Sequence, residues 1–394
     1  MMIAPSPDSL PFADFRALPF SQMQAIVARF EERVNAAQRA LPPSKEAVRS
    51  ALRRKGAARC PVRMRRLSMD VMVRYGDALA DLFCAFPDDV IHVQPYEFCL
   101  GYQAVDRPNR LNELQVLLQP GEWLDEWGTR WGHASGGVGA TPVDYPLKDW
   151  TQLDEYLGSR MPDPHVAGRL DSARAVLAMH GESRYCVGVI HLVLFERLHC
   201  LRGMDNAFMD LCTNGAEIRR LLEALTDYAV GLVEEWAPTP VSALFLTDDW
   251  GSQTGMMVSL AMWRKYFKPH YRRIFEAVHR AGKDVIFHSC GNVASIIPEL
   301  IELGVDVLDP LQPEAMDLAD IARRFGGQLA FCGAITDQRL EESTPQEVRD
   351  MVHRAVETLG KPFGNAYLVA PSNVLPPSVP IENIAALLEA CHDV

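Results

Sequence analysis

His288-Ser289-Cys290 sets an imidazole and a thiol two residues apart, and residues so spaced along an extended chain point to the same side. Both groups ligate zinc. Asp248-Asp249, with Gln253 four residues beyond, brings carboxylates that can act as general bases, cation partners or metal ligands. Cys332 offers another thiol, and Gln312, Ser372 and Asn373 offer uncharged groups to hydrogen-bond a substrate. Each has a plainer reading beside it. An H-x-C pair arises by chance in a chain with 11 His and 9 Cys, a thiol inside QLAFC packs as a small core residue, and an Asp pair can cap a helix and join an ion pair. Trp123, Trp127 and Trp131 recur every four residues. That spacing reads first as one apolar helix or loop face, with Trp127 kept as a substrate contact. His191 and His199 read as structural.

The elements around these residues decide whether they meet. VSALFLT (241–247) reads as a buried strand, followed by a helix from Trp263 to Ala281 that is bent or begun near Pro269. DVIFH (284–288) is a second strand, with a helix over 293–303 stopped by Gly304. VDVLD (305–309) leads to a helix at 318–325, and QLAFC (328–332) to one opened by Ser343-Thr344-Pro345-Gln346-Glu347. There Thr344 can cap, Pro345 suits the first helical position and Glu347 completes the box. NAYLVA (365–370) precedes a last helix at 380–391. Upstream, 89–95 and 185–190 read as strands. Ile218, Leu221, Leu222, Leu225, Tyr228, Leu232, Val233 and Trp236 share one helix face. Repeated strand–helix units imply a parallel sheet, and without a G-x-G-x-x-G after an early strand the dinucleotide-binding open sheet loses support. The expected fold is a (β/α)8 TIM barrel over residues 85–394. A mostly helical extension, 1–84, packs outside it, and an insertion falls near 120–150. In such a barrel, catalytic groups sit at the carboxyl ends of strands, where the residues above cluster.

Composition sets the surroundings. The 394 residues are 48% hydrophobic and 23% charged, as in an ordinary globular protein, which excludes disorder and coiled coil. Residues 1–75 hold 14 Lys and Arg against 6 Asp and Glu, while the whole chain carries a net charge of −12. Nucleic-acid binding by the acidic body is therefore disfavoured. The basic run 53–66 is expected to be a solvated face or to pair within its own chain, with an anionic ligand as the alternative. No apolar run is long enough for a membrane span and MMIAPSPDSLPF lacks the pattern of a leader. Nine widely spaced Cys read as free thiols. A cytoplasmic location is expected, with a small-molecule substrate and room for a homodimer.

Four stretches, DDWGSQTGMM (248–257), FHSCGNVASIIPELIELGVDVLDPLQ (287–312), FCGAITDQRL (331–340) and YLVAPSNVLPPSVPIENI (367–384), together resemble the uroporphyrinogen decarboxylase superfamily. The resemblance is strong over about 240–390, and PDDVIHV (87–93) with DEWGTRW (125–131) extends it weakly. It implies a (β/α)8 barrel and one of two chemistries. Cofactor-free decarboxylases of the superfamily carry P-x-W-x-M-R-Q-A-G-R-Y near the N-terminus, which PVRMRRLSMDVMVRYG (61–76) does not reproduce, and their late His falls at Asn373. Zinc methyltransferases, which move methyl groups between corrinoids and thiols, use an H-x-C pair and a distant Cys. His288 and Cys290 match the pair, and the distant Cys also falls at Asn373. A zinc site then needs a third ligand from Cys332, Gln312, Asp248 or Asp249. The resemblance points to a zinc methyltransferase or demethylase served by a corrinoid protein or small methyl donor. Asp248, Asp249 and Gln253 would be catalytic, and Gln312, Ser372, Asn373 and Trp127 would bind substrate. A carboxy-lyase and a non-catalytic binding barrel are the alternatives.

Overall fold

Apolar runs of five or six residues without a polar break suit strands covered on both faces. Tyr185–Ile190 and Ala243–Thr247 are such strands, buried at every position in the computed structural model of the chain. The structure describes residues 15–95, 121–133, 140–213 and 215–394. The opening MMIAPSPDSLPF and the Gly-rich piece 134–139 of the insertion lie outside the described residues. The strands are β1 (Val90–Val93), β2 (Gly121–Leu124), β3 (Arg130–His133), β4 (Thr141–Asp144), β5 (Tyr185–Ile190), β6 (Ala243–Thr247), β7 (Asp284–His288), β8 (Val307–Leu311), β9 (Ala330–Ile335) and β10 (Tyr367–Pro371). With the helices between them they make a mixed α/β protein. It has two compact units: Met1–Ile91 with Glu182–Tyr185 and Val307–Val394, and His92–Gly181 with Cys186–Asp306.

In the second unit β5, β6 and β7 are parallel, with Val187 opposite Ala243, Ile190 opposite Leu246 and Thr247 opposite His288. The helix Ala216–Trp236 buries Ile218, Leu221, Leu222, Leu225, Tyr228, Val233 and Trp236, the face its spacing predicts apart from the partly exposed Leu232. Gly188 lets that helix approach, since a Cβ there would stand 2.9 Å from the Trp236 ring. The helix expected over 263–281 is two, Leu260–Tyr266 and Lys268–Arg280. Pro269 sits in the first turn of the second, where a missing N–H costs no bond. The helix expected over 293–303 is shorter, Ile297–Glu302, again with a proline in its first turn. The three tryptophans do not share a helix: β2, β3 and β4 form an antiparallel sheet in which Trp123 pairs with Trp131.

In the first unit β8, β9 and β10 are parallel, with Val307 opposite Ala330 and Tyr367 opposite Phe331. These strands lie about two residues later than the apolar runs suggest, so Asp309 falls inside β8 rather than at its end. Thr344 and Glu347 make the expected capping box at the helix Pro345–Ala355. The helices Phe20–Ala40, Lys45–Leu52 and Met69–Ala85 precede the strands. The basic run between them pairs within the unit. Arg59 grips Asp89 at 2.7 and 2.9 Å, Arg65 pairs with Glu31, and Arg63 and Arg66 reach Asp309 at 2.9 and 3.2 Å. No helix among the described residues is long and apolar enough to cross a membrane.

Candidate metal centre

The loops that follow β6 and β7 are pinned to each other by backbone bonds. Asp248 N–H donates to His288 O at 3.0 Å and Gly251 N–H to Cys290 O at 3.1 Å. The approach leaves no room for a side chain, because a Cβ on Gly251 would lie 2.5 Å from Cys290 O. Trp250 N–H adds a bond to Ser289 Oγ at 2.9 Å. Loops held this tightly fix the directions of the side chains they carry.

Three donor atoms converge there. Cys290 Sγ lies 3.4 Å from His288 Nε2. Asp249 Oδ1 accepts the Cys290 N–H at 2.8 Å and stands 3.6 Å from His288 Nε2. Donor atoms of Asp249, His288 and Cys290 all lie within 4.8 Å of one another. Tetrahedral ligands bound at about 2.0–2.3 Å are separated by about 3.3–3.8 Å, a range that holds both His288 separations, 3.4 Å to Cys290 and 3.6 Å to Asp249. The donor set, one nitrogen, one sulfur and one carboxylate oxygen, is chemically suited to zinc. Side-chain exposure of 13% for His288 and 38% for Asp249 leaves a small molecule access.

Asp248 faces another way. Its Oδ2 accepts the N–H groups of Leu194 at 3.0 Å and Phe195 at 2.8 Å, its Oδ1 accepts that of Glu196 at 2.7 Å, and the Tyr271 hydroxyl completes the set. A fully buried carboxylate thus satisfies the free N–H groups at the start of the helix Phe195–Arg202. Burial pushes its pKa up to about 6, against the pull of those donors. Tyr271 in turn accepts the Trp250 indole N–H at 2.8 Å, tying Asp248 to the loop that carries Asp249.

Two residues outside the motifs border the cluster. The Glu196 carboxyl, raised well above its usual range by burial and then by Asp249 and Asp248, accepts the Thr247 hydroxyl at 3.4 Å. Its signal in the sequence is position alone: it follows β5 within six residues, where a parallel strand's active loop belongs. His191 directly follows β5, and burial lowers its pKa to about 3. The unfolded imidazole protonates near 6.5 and the folded one only near 3, so His191 leaves stability intact above pH 6.5 and removes it as pH falls toward 3. The slope is about 1.4 kcal/mol per pH unit. Between pH 7 and pH 5, urea unfolding of His191→Phe should show about 2 kcal/mol less loss in all than the parent, nearly all of it below pH 6.5; an equal loss would contradict the buried neutral state.

The other residues singled out by sequence have settings of their own. Gln253 is exposed in the turn beyond Asp249. Trp127 is buried, with its ring edge-on to Tyr228 at 4.5 Å and Arg197 4.3 Å above it. Cys332, Gln312, Ser372 and Asn373 belong to the first unit. Cys332 is fully buried 3.8 Å from Arg63, with its thiol pushed up by burial. Ser372 Oγ donates to Leu311 O at 3.0 Å, Gln312 is buried, and the exposed Asn373 accepts the Val374 N–H at 2.8 Å.

Residues 198–394, half the chain, match the profile of the uroporphyrinogen decarboxylase family. A uroporphyrinogen decarboxylase from Anaeromyxobacter sp. (strain Fw109-5) is 26% identical over 268 residues, covering 66% of this chain and 73% of its own. Another, from Dichelobacter nodosus (strain VCS1703A), is 24% identical over 179 residues, 45% of this chain and 47% of its own. Among solved structures, a methyltransferase from Methanosarcina mazei is similar with a TM-score of 0.63 at 14% identity, covering 90% of this chain and 99% of its own. That likeness is one of fold.

Proposed function

Because this chain belongs to the uroporphyrinogen decarboxylase family, we propose that it is a zinc-dependent methyltransferase or demethylase with Asp249, His288 and Cys290 as the metal's protein ligands. The observation that supports this is the convergence of their three donor atoms within 4.8 Å. Zinc held there would act as a Lewis acid that makes a thiol-like acceptor nucleophilic at neutral pH. The methyl group would come from a corrinoid protein or a small donor. The name of the Methanosarcina relative agrees with this reading. The protein's own groups do the rest. The Cys290 N–H fixes one oxygen of Asp249 and so orients that carboxylate toward the imidazole. Asp248 and Tyr271 hold the loop that carries Asp249, and the buried aromatic rings beneath them keep water from that side. The same reading includes closure of residues 85–394 into an eight-stranded barrel, with 1–84 outside.

A cofactor-free decarboxylase is the second reading, favoured by the names of the two sequence relatives. Asp248, the carboxylate it would turn to first, has both oxygens engaged by protein donors. Metal removal separates the two. Treatment with a strong chelator should abolish methyl transfer to a small thiol, and one equivalent of zinc should restore it. Activity unaffected by the chelator, or carbon dioxide release in its place, would favour the lyase.

A further inference from the structure

Thr247 joins two polar groups that the chemistry above leaves unused. Its Oγ accepts the Leu192 N–H at 2.9 Å and donates to Glu196 Oε2 at 3.4 Å. Thr247 is also the ladder partner of His288, and paired residues of parallel strands send their side chains to the same face of the sheet. The Glu196 carboxyl is thereby brought beside the cluster, although it is not one of the three groups whose donor atoms converge. Its backbone N–H is held by Asp248, so the position of this residue does not depend on its own side chain. An independent observation comes from the residue before Leu192. Among the described residues, the buried His191 Nε2 has no hydrogen-bond partner. A buried polar atom of that kind is ordinarily satisfied by water or a ligand. Leu192 itself is held at φ 54°, a left-handed conformation that a leucine seldom adopts.

We propose that Glu196 and His191 form a polar recess that takes the protic end, S–H or O–H, of the small molecule acted on at the neighbouring cluster. The inference rests on reading that cluster as the reaction centre. The carboxyl accepts the ligand's one hydrogen, and the uncharged imidazole, with its own hydrogen on Nε2, donates a second bond to the ligand's sulfur or oxygen. A pair of this kind selects ligands that bear a donor over aprotic ligands of the same size, because the aprotic ligand still accepts from the imidazole but gives the desolvated carboxyl no hydrogen.

Ethanethiol and dimethyl sulfide are isomers that differ in this one respect. Their affinities can be measured by saturation-transfer NMR on the full chain, once stripped with chelator and once loaded with Co²⁺. The stripped parent protein should prefer ethanethiol by about three- to tenfold, the net worth of one hydrogen bond between uncharged groups. Glu196→Leu should bring the ratio close to one, His191→Phe should weaken both probes, and Glu196→Gln, which keeps an acceptor of the same shape, should retain part of the preference. Thermal melting checks that each variant folds; should Glu196→Leu fail, His191→Phe and Glu196→Gln carry the comparison. Equal affinities in the parent, no binding of either probe, a full preference in folded Glu196 variants, or undiminished binding of both probes by folded His191→Phe would overturn the recess. Co²⁺ stoichiometry reads the metal separately: Co²⁺ bound with no preference for the thiol refutes the recess alone, and a preference without Co²⁺ binding refutes the metal reading alone.

Discussion

Replacing Cys290 by serine should remove bound zinc and methyl transfer together. The thiolate is the softest of the three donors that converge on one point, and a serine hydroxyl at neutral pH is a poor substitute for it. Mutating groups that merely support a ligand already costs 10–100-fold in metal affinity, so losing the ligand itself should cost on the order of 100-fold or more. The fold should survive. Cys290 is only partly buried, its backbone bonds to Asp249 and Gly251 do not involve sulfur, and the change removes little packing. Elemental analysis, a methyl-transfer assay and a melting curve on one preparation check the three parts. Zinc content and activity equal to the parent's would contradict the assignment, whereas unfolding would show that Cys290 matters for stability first.

Asp248→Ala should instead destabilise the protein by about 3–5 kcal/mol, since it leaves several buried donors without an acceptor at a cost of about 1 kcal/mol or more each. Three backbone N–H groups at the start of a helix and the Tyr271 hydroxyl would lose their acceptor in a site with no exposure of the carboxylate. Asp248→Asn keeps one acceptor oxygen but turns an amide N–H toward donors, so it should fall between the parent and alanine. Urea unfolding measures the order. Zinc bound to folded Asp248→Asn should be that of the parent, since the metal reading gives this residue no coordinating role. A loss below about 1 kcal/mol in the alanine variant would mean that the helix start finds other acceptors.

The two neighbours in Asp248-Asp249 show what a sequence reveals and what it hides. Alternation along a strand is enough to put His288 and Cys290 on one side, so the imidazole–thiol pair is legible from its spacing. Which aspartate turns toward that pair is not. Asp248 is claimed by a helix that begins more than fifty residues earlier, and its partners are backbone N–H groups that carry no residue signature. Glu196 is hidden for the same reason: its importance comes from Thr247, on a strand that is adjacent in space and remote in sequence. Local signals fared better. The apolar face of the helix 216–236 and the Thr344–Glu347 capping box depend on residues three or four apart, and both stand where their spacing puts them. Strand ends in the first unit are displaced by about two residues because hydrophobic runs mark burial rather than ladder bonds. The tryptophan spacing misleads in another way. A four-residue repeat suits a helix, yet the turn at Asp125–Thr129 makes Trp123 and Trp131 cross-strand partners, and the Asp125 carboxylate binds the indole N–H of Trp131 at 3.0 Å.

X-ray absorption at the zinc edge of the purified, zinc-loaded protein is the most direct test of the metal centre. One sulfur near 2.3 Å and two or three nitrogen or oxygen neighbours near 2.0–2.1 Å are expected, with the sulfur absent in whatever zinc Cys290→Ser retains. A first shell of oxygen and nitrogen alone in the parent, or two sulfur neighbours, would contradict coordination by Asp249, His288 and Cys290.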